Sequence, residues 1–518
     1  PAVQFSRFGI RPMLFVPIET ATVYFFWRGL SQAKNRVSFL LAGFFLGLGI
    51  YTYAAARLFP LLFIIFVPIL FWRERPLIKQ HWLNISLMAG ASLLTALPLL
   101  IFFFRTPYFF IFRIAYVANR GAGAVADKPW LTWLNNIGRV VRGLFWHGEL
   151  NLRHNLSGRP YLDPIQAVLF GLGVIRSGRS LLNLRHLFLF IWLGVMLLPT
   201  ILSGDAPHFG RMTGAVPAIA ILMAMGLAWV GESLWRRWGA WLTERRLQPL
   251  LAALFAAILL GTTTFTIRDY FGRYASHPQL AAHFYLPDWQ LGQFAAAQLP
   301  ESTVYLSPTQ EELATIYFAL GDPDRLQNYS GSGGVIPAGI ADQPALYLLR
   351  PEETAVLQTL QTTFPEGKLI ATPNDSFIAF SLPASAARMG LAQETAVSFA
   401  EQISLVGWSA TVVDGQLSVW LAWRAEQPPT LDYTAFVHLL DADGRIVTQL
   451  DKPPAGYPTS DWRTGEIVLD HFVLPLPSLN NPQTGPLMLQ TGFYDLPTLD
   501  RLGEPFVLTS DLALLVNR

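Results

Sequence analysis

The stretch LAGFFLGLGIYTYAAARLFPLLFIIFVPILFWRER (41–75) carries one basic residue, Arg57, before Arg73, and its single acid is Glu74. Two apolar runs, about 37–54 and 57–72, meet at the YTYAAAR turn. A helix that crosses a bilayer needs roughly 20 mostly apolar residues, sometimes about 17. Applied outward from this stretch, the same test gives about eight candidate spans. They are 12–28, 37–54, 57–72, 82–104, 161–176, 186–202, 212–231 and 247–267. Gly and Pro recur inside them, as in LLTALPLL, which membrane helices tolerate better than soluble ones.

Composition agrees. The 518 residues are 52% hydrophobic and only 14% charged, with a mean hydropathy of +0.36. Soluble domains average about 25% charged residues. Residues 1–267 hold 25 Lys and Arg against 8 Asp and Glu, whereas the remainder holds 12 against 27. A cationic apolar half is joined to an anionic polar half. Cys is absent, which excludes disulfides, thiol catalysis and Cys-ligated metals.

The loops orient the spans. Arg28, Lys34 and Arg36 follow the first span; Arg73, Arg75 and Lys79 follow the third. Arg176, Arg179 and Arg185 follow the fifth, and Arg236, Arg237, Arg245 and Arg246 the seventh. The alternate short turns carry only Arg57 and Arg211. Positive residues stay in the cytoplasm. Residues 1–10, 55–57, 105–160, 203–211 and everything after about 268 are therefore expected outside. The protein is expected to be multi-pass in the plasma membrane, its C-terminal half extracytoplasmic. The external loop 105–160 is itself basic, with eight Lys and Arg against Asp127 and Glu149. Within it, WLTWLNNIGRVVRGLFW (130–146) sets Trp130, Trp133, Leu134, Ile137, Val140, Val141, Leu144 and Phe145 at helical spacing, with Arg139 and Arg142 among them. Such a segment either lies on the membrane surface or packs on the bundle.

The expected architecture is an α-helical polytopic membrane bundle over 1–267, a small external α/β domain over 268–384 and an external β-sandwich over 385–518. LPDWQLGQFAAAQL, TQEELATIYFAL and PEETAVLQTLQTTF read as helices; STVYLSP, PALYLLR, KLIATP and SFIAFSL read as strands. Thr309 and Glu312 stand at capping-box spacing. QNYSGSGGVIPAG lacks the spacing and the Lys of a phosphate-binding loop and reads as a turn. From about 395 the pattern alternates, as in QLSVWLAWRAE, and Asp441–Gly444 reads as a hairpin turn. Trp408, Trp420, Trp423, Tyr457 and Trp462 either stack on sugars or fill the core. No metal-ligand cluster is evident.

Polar residues at the outer ends of spans default to functional hypotheses. They are Arg57 in YTYAAARLFP, the group Arg153, His154, Asn155, Arg159 and Asp163 in NLRHNLSGRPYLDP, and Asp205, His208 and Arg211 in SGDAPHFGRMTGAVP. Arg7 and Arg11 read as interfacial anchors. Arg and His donors suit phosphate oxygens, so these groups suggest a lipid-linked phosphate held at the membrane surface.

With FSRFGIRPMLFVPIE (5–19), GLGIYTYAAARLFPLL (47–62), LRHNLSGRPYLDP (152–164) and LLPTILSGDAPHFGRMTGAVPA (197–218), the chain resembles the GT-C class of membrane glycosyltransferases. More narrowly it resembles family 39, the dolichyl-phosphate-mannose–protein mannosyltransferases with their aminoarabinose-transferase relatives, in a bacterial branch with a C-terminal extension. The resemblance implies transfer of a sugar, mannose-like or related, from a polyprenyl-phosphate carrier to a protein, lipid or glycan acceptor, with inversion. It implies phosphate contacts from Arg57, Arg153, His154, His208 and Arg211, with Asp163 and Asp205 as assisting acids. It implies no nucleotide-sugar domain; no cofactor is identified, no nucleic-acid partner is expected, and the sequence gives no metal requirement. The family's catalytic carboxylates lie in a first external loop, and 1–267 contains no acidic pair, so the base is expected upstream of Pro1 and this chain alone is expected to be inactive. The competing readings are a non-catalytic membrane anchor displaying a carbohydrate-binding domain and, with less support from the spans, a transporter.

Overall fold

The computed structural model describes residues 2–32, 35–112, 129–238, 244–299, 301–307, 314–322, 326–331, 334–340, 343–384, 393–413, 415–454, 457–476 and 487–510. Lys34, Asp127, Lys128, Thr309 and Glu312 lie outside them. The chain forms two compact units, Pro1–His283 and Phe284–Arg518.

The first unit is helical. Its main helices are Pro12–Ser31, Arg36–Gly49, Pro60–Arg73, Arg75–Arg105, Pro164–Gly178, Leu184–Ile201, Val216–Trp238 and Glu244–Ile267. Among the described residues, five stretches are long and apolar enough to cross a membrane: 54–73, 79–105, 184–201, 209–238 and 248–274. Arg36–Gly49 and Pro164–Gly178 are apolar too but span only 14 and 15 residues. The second of these starts late because Asp163 and Pro164 define its first turn: Asp163 Oδ1 accepts the amides of Ile165 and Gln166, both at 2.9 Å. The protein is thus a membrane protein; of the eight expected spans, five meet the length and composition criterion among the described residues.

Aromatic rings and close backbone contacts hold the bundle together. Phe26 packs edge-on against Phe39, Phe63 and Phe66, and Phe188 meets Phe66 edge-on at 4.9 Å. Edge-to-face pairs add about 0.5–1.5 kcal/mol each beyond area burial. Pro164–Gly178 and Val216–Trp238 touch through glycines. A Cβ on Gly173 would lie 1.8 Å from the Leu222 carbonyl, and one on Gly226 would lie 2.0 Å from that of Leu169. Small residues permit such approach in lipid, where no hydrophobic force drives helices together. One buried acid, Glu19, takes part in this core, and its Oε2 accepts the indole N–H of Trp192 at 3.2 Å.

The turns sort to two ends. At one end the Arg73 guanidinium reaches the Leu182 carbonyl, Arg185 lies over Trp27 and Arg179 over Trp229. This end gathers the basic turns. At the other, the segment 147–163, the turn 203–215, Ala2–Phe8 and the π-helical turn Arg268–Tyr274 meet, through Gln4 to the Arg153 carbonyl, Tyr274 to the Leu152 carbonyl and Arg159 to Asp269.

The second unit opens with helix Leu286–Gln298. Strands β1 (Thr303–Ser307), β2 (Leu326–Asn328), β4 (Ala345–Leu349), β5 (Lys368–Ile370) and β6 (Ile378–Leu382) form one sheet in the order β2-β1-β4-β6-β5. β1 pairs in parallel with β2 and β4, and β6 closes on β4 in antiparallel fashion. Two antiparallel sheets follow. One is β11 (Ile446–Lys452), β10 (Tyr433–Leu440), β13 (Met488–Asp495), β14 (Phe506–Thr509). The other is β3 (Val335–Ile340), β12 (Glu466–Pro475), β9 (Gln416–Ala425), β8 (Ile403–Val413), β7 (Gln393–Phe399). The expected turn QNYSGSGGVIPAG therefore ends in a strand: β3 leaves the first sheet and pairs with β12, burying Val335, Ile336 and Ala338. Gly444 takes a positive φ of 78° in the Asp441–Gly444 turn, as the hairpin reading requires. Trp408, Trp423, Tyr457 and Trp462 are all buried, so they fill the core; Trp420 stacks on His471 at 4.3 Å.

Candidate functional site

Helix Pro129–Phe145 begins the site. Its Thr132, Asn136, Val140 and Leu144 are buried while Trp130, Trp133, Leu134, Ile137 and Val141 are exposed. It therefore packs on the bundle by one face and turns an apolar face outward. Asn136 explains the attachment. Its amide donates to the carbonyls of Ile201 (2.9 Å) and Ser203 (2.7 Å), which a helix end leaves without intrahelical partners. Arg139 and Arg142 stand on the exposed side.

The chain then doubles back. Gly148 N–H donates to the Gly158 carbonyl and Gly158 N–H to the Glu149 carbonyl, both at 3.0 Å. A Cβ at Gly148 would fall 1.9 Å from the Arg159 carbonyl, so only glycine allows this pairing. The pairing fixes Glu149, which is buried. Its Oε1 lies 2.7 Å from Nδ1 of His154, and its Oε2 accepts the Phe209 amide at 2.6 Å. One carboxylate thus ties the 147–163 segment to the 203–215 turn. That turn is also pinned by Thr200 Oγ1, which accepts the His208 amide at 2.9 Å, and by Phe209, fully buried edge-on against Tyr161.

These constraints bring the rings of His154 and His208 to a centroid separation of 4.6 Å. Both face Gly210: His208 Nδ1 and His154 Nε2 lie 3.4 and 3.5 Å from where a Cβ there would sit. His208 Nδ1 is buried and has no protein partner. Burial lowers the His208 pKa to about 4, with Arg211 and His154 acting in the same direction against Glu149 and Asp205. The ring is neutral at neutral pH. Asp205 pairs with Arg211 and lies 4.0 Å from His208 Nε2. Burial alone would raise the Asp205 pKa, but Arg211 and His208 outweigh it and hold it below the usual value. An acid held ionised in this way is a weak general base.

A cleft of about 440 Å³ opens over this turn. It is lined by Arg139, Arg142, His147, Glu149, Asp205 and His208, among others. Arg211 pairs with Asp205 of this lining. Its arginine and imidazole donors are groups that suit phosphate oxygens, and its two carboxylates are already engaged, Glu149 by His154 and Phe209 and Asp205 by Arg211.

The other expected site residues are placed differently. The Arg153 Nε donates to the His283 carbonyl at 2.7 Å. Arg57 lies over the rings of Phe103 (4.6 Å) and Phe110 (5.2 Å), a cation–π setting. Asp163 is a helix cap. Its capping box with Gln166 uses Oδ1 and its own backbone N–H, so its geometry is explained by helix initiation. Sequence reasoning passed over Glu149, Arg139 and Arg142 as site residues. One of only two carboxylates in a basic loop, five residues before His154, was the available signal for Glu149.

Glu149, His154 and His208 each offer one ligand atom within 4.8 Å of the others, a set of chemistry suited to zinc. The sequence showed no such cluster because its members come from two loops. The 2.7 Å contact between Glu149 and His154 is a hydrogen bond, and the second oxygen of Glu149 is taken by Phe209. The arrangement is that of a carboxylate orienting an imidazole, as second-shell acids do.

No family model and no curated protein matches the chain. Among solved structures it is similar to ArnT from Cupriavidus metallidurans bound to undecaprenyl phosphate, at 14% identity and a TM-score of 0.32, over 72% of this chain and 74% of that one.

Proposed function

We propose that this chain belongs to a GT-C-like membrane glycosyltransferase that moves a sugar, a mannose-like hexose or a relative, from a polyprenyl-phosphate carrier to a protein, lipid or glycan acceptor. The transfer takes place at the outer face of the plasma membrane, with the second unit extracytoplasmic. The observation that carries the reading is the convergence of Arg139, Arg142 and His208 on one cleft, with Arg211 paired to Asp205 of its lining, at the bundle end away from the basic turns. A phosphate on a membrane-embedded chain would reach that level of the bilayer, and the outward apolar face of Pro129–Phe145 would lie in the same interface.

The chemistry follows from charge. An acceptor nucleophile attacks the anomeric carbon, the bond from that carbon to the carrier-phosphate oxygen breaks, and the acceptor proton passes to a base. Negative charge grows on the departing phosphate. Arg139, Arg142 and Arg211 would stabilise it, and neutral His208 would donate one hydrogen bond without adding charge. Donors preorganised around a developing anion typically contribute about 10²–10³ in rate each. His154, oriented by Glu149, lies alongside. Asp205 positions Arg211; it is too strongly held as an anion to serve as base, in keeping with a catalytic carboxylate outside this cleft.

The test uses membranes containing the full-length protein and a radiolabelled polyprenyl-phosphate hexose. Transfer should fall about 100-fold in His208→Ala and in Arg211→Ala. Unchanged transfer in both, at equal protein level, would discard the assignment.

A further inference from the structure

A second group of arginines lies apart from the cleft of His208. At the end of helix Glu244–Ile267 the chain makes a π-helical turn, Arg268–Tyr274. The turn carries Asp269, which is buried, and three guanidiniums surround its carboxylate. Arg159 Nε lies 2.8 Å from Oδ2, while Arg268 Nη2 lies 3.0 Å and Arg273 Nη1 3.6 Å from Oδ1. Arg159 is mostly buried, but the side chains of Arg268 and Arg273 are 58% and 65% exposed.

These residues line a pocket of about 350 Å³ whose walls include Pro160, Leu162 and Phe265. Asp163 also borders it, with Oδ1 committed to the helix cap. The pocket therefore contains three cations and two carboxylates. Each guanidinium has five donors, far more than those carboxylate oxygens can accept. The adjoining helix supplies a second observation. The apolar stretch within 248–274 is long enough to cross a membrane, and none of it is buried among the described residues. Among the described residues none covers that surface, and the exposed guanidiniums stand at its end, the level at which a bilayer presents its headgroups.

We propose that Arg268 and Arg273, anchored with Arg159 around Asp269, bind the phosphodiester of an anionic phospholipid, whose acyl chains run down the uncovered face of 248–267. None of the residues of this pocket lines the His208 cleft. Asp269 holds the three arginines together and its charge weakens the site.

The full-length protein, delipidated in detergent, is titrated with fluorescent phosphatidylglycerol. Phosphatidylcholine of the same chains, inorganic phosphate and polyprenyl phosphate serve as competitors. Saturable binding is expected, with phosphatidylglycerol preferred over phosphatidylcholine. R268Q/R273Q should weaken it by roughly tenfold, and Arg273→Gln alone by a few-fold; the latter loses only the longest of the three ion contacts and keeps the fold. Asp269→Asn should tighten binding, which a purely structural ion-pair cluster would not do. The proposal fails if the arginine variants bind phosphatidylglycerol like wild type, or if Asp269→Asn weakens binding in a protein with unchanged melting. Displacement by millimolar inorganic phosphate would assign the pocket to free phosphate instead. Selective displacement by polyprenyl phosphate would make it part of the carrier site. Either result overturns the assignment.

Discussion

His208 sits against His154, Glu149, Asp205 and Arg211, and its burial depresses its pKa to about 4. An unfolded histidine titrates near 6.5. The stability held in this neutral ring is complete above about pH 6.5 and is lost as pH falls from there toward 4, because the unfolded chain then binds a proton that the folded one refuses. A shift of this size corresponds to at most about 3 kcal/mol. Melting of the protein in detergent should therefore drop more steeply between pH 6.5 and 4 in wild type than in His208→Gln. Parallel curves would remove the ring from the pH response. Glu149 offers a second test at this scale. Glu149→Gln replaces a charged acceptor of two hydrogen bonds, each worth roughly 1.5–3 kcal/mol. It should lower the melting temperature and reduce sugar transfer together; a loss of neither would show that the two turns are held by other contacts.

At the scale of elements, backbone contact governs the bundle. Gly173 and Gly226 let helices Pro164–Gly178 and Val216–Trp238 approach until a Cβ would overlap a carbonyl oxygen of the other helix. Gly226→Leu must separate them, and overpacking of this kind costs about 1–3 kcal/mol or more. Because Val216–Trp238 begins directly after the site turn, the variant should lose thermal stability and carrier binding together. Retained carrier affinity in a destabilised variant would uncouple seam from site. In the second unit, Lys452 Nζ lies 2.7 Å from Oδ1 of the fully buried Asp470, whose pKa burial raises to about 6 against the pull of Lys452. Lys452→Met leaves that carboxylate without its cation. Removing one partner of a buried pair costs about 3–5 kcal/mol. Differential scanning of the variant should show a lower melting temperature at pH 8 that partly recovers at pH 5, as the carboxyl protonates.

Over the whole molecule, the two ends of the bundle differ in chemistry. The basic turns meet at one end, and the histidine cleft, the arginine pocket and the π-helical turn at the other. Cysteine is absent, so single cysteines introduced at Ser180 and at Pro207 are clean probes. A membrane-impermeant maleimide added to intact cells should label the residue at 207 and spare the one at 180. The reverse pattern would turn the cleft toward the cytosol and defeat the proposed lipid-carrier chemistry.

Much of this was legible in the chain. Apolar length and the alternation of basic loops are local or additive properties, so the helical membrane half, the strand-rich polar half and the candidate turns 151–164 and 203–217 could be read directly. The individual spans were less legible, because capping by Asp163 and the 3₁₀ turn at Ala54–Leu58 shorten helices that hydropathy alone extends. The roles of particular polar groups depended on tertiary contact. Asp163 is a cap, Arg57 is covered by Phe103 and Phe110, and Glu149 joins two turns separated by some 60 residues in sequence. Strand β3 likewise crosses to a sheet more than a hundred residues away in sequence. Hydrophobicity is a sum over neighbours along the chain and needs no fold to be evaluated. The direction of a carboxylate, the proton affinity of a buried imidazole and the partner of an edge strand are set by atoms distant in sequence, and only the folded structure brings those atoms within reach.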